Sequence, residues 1–418
     1  MKLSNLRVEY RHSQMKDAQD IYVVCDLSAN FTEVKEFWFS VDEKYADRIS
    51  SDVYDAFLVS MLYPAMYYNE DIEIDGNVSE RLYHNLCYYV QGVVKAFDSK
   101  FHNVKISVKG FAAPAKNDIL HIGTGFSGGV DSFATLYDNF FATSNPNYKI
   151  DTIFFFHLGQ YGNVKDEKTW GRVCSVFEIT KQFASEIGVP AILMNTNMFD
   201  FYLPRWEFDA GVLCRVASIL VFQKSLKVYY VSSARSYEEL KTIYLESHLC
   251  LSDTSDPVLL PMLSTDGLSI ICDGAQYSRT EKTRNIAELP LPRKYLNVCV
   301  NSHSAIKQSK ATNCSYCPKC LRTMMALESL GVLEEFGDVF DLAQYSKRQF
   351  RYKCEQVCSY STNVFARDNV DFAMTNGKKL PNKFVAYIVY NCFIAGATIK
   401  RYLKLVANKI GNIIGCGA

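Results

Sequence analysis

Strand-like and helix-like segments alternate between residues 116 and 298, and this alternation is the feature that most limits the fold. Five short apolar runs read as strands: Ile119–Phe126, Thr152–Leu158, Ala191–Asn195, Val228–Ser232 and Leu268–Cys272. The stretches after them place apolar residues three and four positions apart, at 131–143, 168–187, 207–223 and 278–287. Strands joined through helices run parallel, because each helix returns the chain to the starting edge. The pattern therefore predicts an α/β fold with a doubly wound parallel sheet.

Residues 1–115 show a different order of elements. Strand-like runs come first, and helical runs follow at 52–66 and 79–97 before a further strand at 103–108. Gly110, Ala112 and Pro114 then break the pattern. We predict four segments: an N-terminal α+β accessory domain at 1–115, a parallel-sheet domain at 116–298, a cysteine region with a helix at 299–345, and a helical tail at 346–418.

A glycine turn follows the first parallel strand, where residues 127–132 read SGGVDS. Gly128 and Gly129 allow a tight turn that presents backbone N–H groups, and the helix behind it adds the positive end of its dipole. Ser127 and Ser132 add hydroxyls, and Asp131 can hold Mg²⁺ against phosphate oxygens. The spacing and lysine of a Walker loop are missing. The segment, which includes Val130, predicts a pyrophosphate site together with Phe126 directly before it. The alternative is a turn that caps an ordinary helix.

Further candidate residues follow the later strands, whose carboxyl ends should line the same cleft. Arg279 and Lys282 open a helix after the fifth strand and could neutralise phosphates or a substrate carboxylate. The alternative is a solvated helix start with an intrahelical charge pair. His248 could contact substrate, although a lone histidine is usually not catalytic. Phe133 and Tyr161 could stack on a flat base, but packing is the commoner role.

Three cysteines within seven residues, Cys314, Cys317 and Cys320, form two overlapping CxxC turns. Thiolates at this spacing can wrap one tetrahedral zinc, which leaves one ligand to find. We favour Cys299 as the fourth ligand, with His303 and Cys272 as competitors. An iron–sulfur cluster and a set of buried thiols are the alternatives.

Composition restricts the classes of partner. Lys plus Arg and Asp plus Glu both total 45, so no global basic field exists for gripping nucleic acid. The first residues hold no continuous apolar core, which predicts no secretory signal and a cytoplasmic location. No transmembrane segment is expected, because the longest apolar stretch, from 384 to 399, is short for a span. A buried helix is its simplest interpretation, and a basic interfacial helix is the alternative.

The combination of the SGGVDS loop and a C-terminal cysteine site resembles the ATP pyrophosphatase (PP-loop) superfamily, and within it the 7-cyano-7-deazaguanine synthases of queuosine-precursor synthesis. The resemblance covers about residues 118–330. It implies an adenine-nucleotide α hydrolase-like fold, use of ATP and Mg²⁺, and a four-cysteine zinc. By motif it implies that Ser127, Gly128, Gly129, Asp131 and Ser132 bind pyrophosphate, and that Cys299, Cys314, Cys317 and Cys320 bind zinc.

The resemblance also implies an activity. Such enzymes convert a deazaguanine carboxylate through an adenylate to an amide and then a nitrile, and relatives in anti-phage defence loci attach a deazaguanine to a protein amine. This chain has over a hundred residues before the loop and a tail of about 70 beyond the cysteines, which leaves the final product open. We expect a ligase-type enzyme that activates a base or acid, with a possible protein acceptor on the extra regions. The alternatives are a tRNA-thiolating enzyme and a nucleotide-binding adaptor without turnover.

Overall fold

The chain forms two compact units, Met1–Ser278 and Arg279–Ala418. The computed structural model describes residues 1–13, 18–113, 120–159, 167–202, 211–246, 254–299 and 312–392. The first unit spans the predicted boundary at residue 115, and the second begins at the helix that follows the last strand.

One sheet organises the first unit, with ten strands in the order β10-β9-β6-β7-β8-β3-β2-β1-β4-β5. The strands are β1 (Lys2–His12), β2 (Gln19–Ser28), β3 (Glu36–Asp42), β4 (Ile72–Ser79), β5 (Ile106–Ala112), β6 (His121–Gly125), β7 (Thr152–His157), β8 (Ala191–Thr196), β9 (Leu226–Ser232) and β10 (Ser269–Asp273). Strands β6 to β10 pair in parallel, as do β1 with β4 and β4 with β5. The pairs β1–β2, β2–β3 and β3–β8 are antiparallel. The α/β class is therefore confirmed, with a mixed sheet.

The parallel half has one point at which the strand order reverses. After β6 the chain builds β7 and β8 on one side, and then crosses to build β9 and β10 on the other. The two neighbours of β6 are therefore reached in opposite directions, and a crevice forms beyond the carboxyl ends of β6 and β9. The SGGVDS segment begins two residues after β6, so the topology places it at this crevice.

Side chains beyond β8 bind the N-terminal strands to the parallel half. The Asn197 amide accepts a hydrogen bond from the Trp38 backbone N–H at 2.9 Å and donates to the Glu36 carbonyl at 2.8 Å. The Thr196 hydroxyl donates to the Trp38 carbonyl at 2.8 Å. Strand β3 therefore continues the parallel half directly, and the strands predicted for a separate N-terminal domain share its sheet.

Helices cover both faces of the parallel half. The first-unit helices are α1 (Asp55–Tyr68), α2 (Glu80–Asn85), α3 (Gln91–Phe97), α4 (Val130–Leu136), α5 (Glu167–Glu186), α6 (Gly211–Leu220), α7 (Tyr237–Glu246) and α8 (Asp256–Met262). Phe154 of β7 belongs to the large core that includes α1 and α6. The next residue, Phe155, packs on Val173 and Phe177 of α5. Successive strand residues point to opposite faces, so both faces of β7 are buried, as the apolar runs predict.

The second unit is helical among its described residues, with α9 (Arg279–Ala287), α10 (Pro292–Tyr295), α11 (Pro318–Leu330), α12 (Leu342–Ser346), α13 (Gln349–Cys358) and α14 (Val364–Thr375). Helix α11 packs against α9 and α14. Residues 383–392 are also helical, whereas the rest of the predicted tail lies outside the described residues. No described helix combines the length and apolar character needed to cross a membrane.

Candidate functional site

The SGGVDS loop is a tight turn held by its own hydroxyls. Gly128 has a φ of +71°, in the left-handed region that favours glycine. The Ser127 hydroxyl accepts from the Gly129 backbone N–H at 3.3 Å, and the Ser132 hydroxyl donates to the Gly129 carbonyl at 3.0 Å. The two hydroxyl oxygens lie 3.4 Å apart. The loop thus brings both predicted serines together around the turn.

The start of α4 presents the remaining loop residues. Val130 begins the helix directly after Gly129, and its side chain is buried, as is that of Ser132. The first backbone N–H groups of a helix have no partner within it, so they favour anions. Asp131 is half-buried in this first turn, and its role in holding a cation stays a prediction.

Aromatic packing fixes the loop's foundation. Phe126 stacks on Phe183 of α5 with ring centroids 4.0 Å apart, and it meets Phe133 edge to face at 5.0 Å. All three rings are buried. Phe126 and Phe133 therefore stabilise the loop by packing within the core.

Polar residues at the ends of β9 and β10 form hydrogen bonds with α4 and with the turn that follows it. The Thr135 hydroxyl lies 2.9 Å from that of Ser232 at the end of β9. The Asn139 amide donates to the Asp273 carboxylate at the end of β10 at 2.9 Å. Burial raises the pKa of nearby Asp138, whose carboxylate accepts from Tyr277 and Gln276. Sequence reasoning missed these partners of α4, although the polar ends of β9 and β10 signalled a polar crevice.

Arg279 and Lys282 lie in the first turn of α9, in the second unit. Lys282 is 1% exposed, and a lysine this buried is ordinarily paired with a negative group. Thr280, the second residue of α9, donates two hydrogen bonds to the Asp368 carboxylate. One comes from its backbone N–H at 2.9 Å and the other from its hydroxyl at 2.7 Å. Burial of Lys282 does not fit the alternative of a solvated charge pair, and its catalytic role stays a prediction.

The four predicted metal-binding cysteines come together. The Sγ atoms of Cys299, Cys314, Cys317 and Cys320 all lie within 4.8 Å of one another, and all four residues are buried. The measured Sγ–Sγ distances are 3.3 Å for Cys317–Cys320, 3.8 Å for Cys314–Cys320 and 4.0 Å for Cys317–Cys299. Zinc–sulfur bonds of about 2.3 Å give a regular tetrahedron with edges of about 3.8 Å. The donor set therefore fits one tetrahedral metal such as zinc.

The Sγ–Sγ distances also distinguish a site for one metal ion from a site for an iron–sulfur cluster. A cluster with several iron atoms needs its thiolates farther apart than the edge of one tetrahedron. Cys272, a competitor in the sequence, lies in β10 of the first unit. His303, the other competitor, lies outside the described residues.

Asn313 holds the two cysteine segments together. Its side chain accepts from the Val298 backbone N–H at 2.8 Å and donates to the Leu296 and Val339 carbonyls at 2.8 and 2.9 Å. Asn313 is fully buried and directly precedes Cys314, while Val298 directly precedes Cys299. The amide thus aligns the fourth cysteine with the other three, and sequence reasoning did not identify it.

The thiols perturb one another strongly. A hydrogen bond from Cys320 lowers the pKa of Cys317 to about 5, against the opposing effect of burial. The same contact raises the pKa of Cys320. Metals bind thiolates and not thiols, so the binding of a cation by these cysteines releases their protons.

Several sequence candidates lie outside the described residues, among them His248 and Tyr161. In comparisons with protein-family models, with curated protein sequences and with solved structures, this chain has no match.

Proposed function

We propose that this chain is an ATP pyrophosphatase-type ligase that activates a carboxylate on a 7-deazaguanine-type base. The observation that carries the proposal is the SGGVDS loop at the point where the strand order reverses. There a positive-φ glycine, two facing hydroxyls and a helix start meet beyond the carboxyl end of β6. A site with these groups, and without a Walker lysine, suits the β- and γ-phosphates as a leaving pyrophosphate.

The loop residues would have distinct roles in the reaction. Backbone N–H groups around Gly128 and Gly129, with the Ser127 and Ser132 hydroxyls, would donate to the pyrophosphate oxygens. Asp131 would hold Mg²⁺, which supplies positive charge against the phosphates. Arg279 and Lys282 lie in the second unit, and their role in neutralising charge stays a prediction from the sequence. None of these groups is a covalent nucleophile, so positioning and charge neutralisation account for the rate.

The proposed reaction has two displacement steps. An oxygen of the substrate carboxylate attacks the α-phosphorus, the bond from that phosphorus to the β-phosphate oxygen breaks, and pyrophosphate leaves. The product is an acyl adenylate. An amine then attacks the acyl carbon, AMP departs, and the nitrogen loses a proton to give an amide. Where the amine is ammonia, the amide oxygen can attack the α-phosphorus of a second ATP with release of pyrophosphate, and loss of AMP and of both N–H protons then gives a nitrile. Alternatively, the amine can belong to a protein.

The cysteine centre would have a structural role. Four thiolates complete a tetrahedral shell, so a zinc ion held by them has no open position for substrate. Its contribution would be to fix the loop that carries Cys299 against α11. This argues for adenylation over thiolation, because thiolation needs an open iron or a persulfide-carrying cysteine.

The substrate assignment is tested by pyrophosphate release from ATP and Mg²⁺ with and without 7-carboxy-7-deazaguanine, with products followed by mass. We expect stimulation by the acid and a mass corresponding to its adenylate, amide, nitrile or protein adduct. An absence of stimulation in a protein that binds ATP and contains zinc would remove the deazaguanine assignment. An iron-containing, brown protein would instead favour thiolation.

A further inference from the structure

The charge of the chain is divided unequally between its two units. Residues 279–418 contain 21 Lys or Arg residues and 10 Asp or Glu residues, which gives a net charge of +11. Because the whole chain contains 45 of each kind, residues 1–278 carry a net charge of −11. The second unit can therefore attract an anionic partner that the neutral total does not indicate, and such asymmetry is typical of chains that bind nucleic acid or membranes.

The excess positive charge is concentrated near the C-terminal end of the second unit. From residue 372 to residue 418 the sequence contains seven Lys or Arg residues and no Asp or Glu. Three of the seven, Lys378, Lys379 and Lys383, belong to the described residues, and all three are exposed. These lysines therefore present positive charge to the solvent from one short segment.

The helix at residues 383–392, which begins at the third of these lysines, exposes apolar side chains. Phe384, Tyr387 and Ile388 are 74%, 65% and 45% exposed. Their spacing of three and four residues places them on one face of the helix, whereas Ala386 on the opposite face is fully buried. The interpretation of a buried helix is therefore wrong for these residues, and exposed apolar side chains grouped in this way mark an interaction site.

The lysines lie close to the apolar face. Lys383 precedes Tyr387 by one turn of the helix, so the two side chains are neighbours on its surface. Lys379 lines a cavity of about 470 Å³ together with Phe350 of α13, which is 55% exposed, and with Pro381 just before the helix. Apolar side chains and ammonium groups therefore alternate over this part of the second unit.

This combination favours the surface of an anionic membrane over nucleic acid. An aliphatic side chain such as Ile388 offers no ring for a base to stack on, but it can enter the boundary between lipid headgroups and hydrocarbon. The ring of Tyr387 has an apolar body and a polar tip, which suits the same boundary. Lysine stems can lie along apolar surface while their ammonium groups reach lipid phosphates.

We propose that Lys378, Lys379, Lys383, Phe384, Tyr387 and Ile388 form a membrane-binding surface through which the second unit binds an anionic bilayer. The apolar side chains enter the interfacial layer, and the lysines contact the phosphates of the headgroups. This binding lies on the bilayer surface and requires no spanning helix. The proposal is independent of the proposed ligase function, because bilayer binding can be measured without ATP.

The test measures co-sedimentation of the full chain with lipid vesicles in the absence of ATP. One set of vesicles contains phosphatidylcholine alone, and the other contains a mixture of phosphatidylcholine and phosphatidylglycerol. We expect binding to the mixed vesicles and much weaker binding to phosphatidylcholine. Binding to the mixed vesicles should also weaken as sodium chloride is added, because salt screens the attraction between lysines and anionic lipid.

The apolar variant is Phe384→Ser, which should weaken binding to the mixed vesicles at least about tenfold. Its matched control is Leu245→Ser, since Leu245 is 78% exposed and lies in the first unit. Both side chains are exposed, so both variants should fold, and circular dichroism checks this. The control should bind as the wild-type protein does.

The charge variant replaces the three exposed lysines with glutamine: Lys378→Gln, Lys379→Gln and Lys383→Gln. It should also weaken binding at least about tenfold, because each lysine near an anionic bilayer contributes to affinity. The matched control replaces three exposed lysines of the first unit: Lys35→Gln, Lys44→Gln and Lys241→Gln. This control should retain the wild-type affinity.

Four results would overturn the inference. Equal binding to both kinds of vesicle would remove the role of anionic lipid, and equal binding by the variants and their controls would remove the role of this surface. Binding to single-stranded RNA that the charge variant abolishes, without vesicle binding, would assign the lysines to nucleic acid. Self-association that Phe384→Ser abolishes in sedimentation velocity, again without vesicle binding, would assign the apolar face to a second copy of the chain.

Discussion

The geometry of the SGGVDS loop and that of the four-cysteine group each depend on single residues. At the loop, Gly128 adopts a backbone conformation that other residues reach only with strain. At the cysteine centre, four sulfur atoms occupy positions close to the corners of one tetrahedron. Each feature gives a prediction that a side-chain change can test.

Replacing Gly128 with alanine should weaken ATP binding by at least about tenfold, because the turn can no longer present its N–H groups and a hydrogen bond to a charged group is lost. Gly377→Ala is the matched control, since Gly377 has the same φ of +71° with open space around the added Cβ. Both variants should lose roughly 1–2 kcal/mol of stability from backbone strain. Titration with a non-hydrolysable ATP analogue measures the difference, and equal affinity in the two variants would contradict the loop's role.

Replacing Cys314 with serine should remove the bound metal. Purified wild-type protein should contain one zinc per chain, and the variant should contain much less and melt at a lower temperature, since metal binding contributes to folding free energy. The control is Cys358→Ser, whose thiol lies on α13 outside the four-cysteine group. Elemental analysis and thermal unfolding report both effects. Full zinc occupancy in Cys314→Ser would exclude this donor set.

At the scale of elements, short polar connections position the functional segments. Asn313 joins the segment before Cys299 to the turn that precedes α11. Thr196 at the end of β8 and Asn197 directly after it bond to the backbone of β3. Thr135 of α4 bonds to the end of β9, and Asn139, three residues after α4, bonds to the end of β10. These contacts are directional, so they fix register and orientation where apolar packing alone would not.

Substituting Asn313 with alanine should reduce zinc affinity about 10–100-fold, because the residues that orient metal ligands matter nearly as much as the ligands. It should also cost roughly 3 kcal/mol, since one N–H and two carbonyls lose their buried partner. Competition with a chromophoric chelator measures the affinity. Asn376→Ala, which loses one hydrogen bond at the end of α14, is the control and should retain full affinity. Identical zinc affinities for both variants would rule out the alignment role.

The elements of the parallel half were largely predictable from the sequence, and the connections between them were not. Strand β7 was expected at 152–158 and lies at Thr152–His157, because a short continuous run of apolar and aromatic residues is typical of a strand buried on both faces. The predicted helix at 131–143 is α4 followed by a π-helical turn, Tyr137–Ala142. Strand β1 was not identified from the sequence. Its apolar residues Val8 and Tyr10 are exposed, and its register against β2 shifts between Ser4 and Arg7. Glu9 forms ion pairs with Arg7 and Arg11.

For the molecule as a whole, the pairing of β3 with β8 has the widest consequence. The pairing joins the N-terminal strands and the parallel half into one sheet. Ser40 and Asn195, which face each other across it, both line a cavity in the first unit. No periodicity in the sequence encodes this pairing, because it joins strands that are distant in the chain. Asn197 accepts from the Trp38 backbone N–H, and Thr196 donates to the Trp38 carbonyl beside the pairing. The cysteine spacing, by contrast, indicated the metal centre directly.

We propose that this protein cleaves ATP between its α- and β-phosphates at the SGGVDS loop. The most direct measurement is to identify the nucleotide product formed from ATP labelled in the α-phosphate, with Mg²⁺ and 7-carboxy-7-deazaguanine present. We predict labelled AMP, or a labelled adenylate, in the wild-type protein, and a loss of at least about a hundredfold in its rate with Ser132→Ala. Labelled ADP as the main product, or an unchanged rate in Ser132→Ala, would contradict the account.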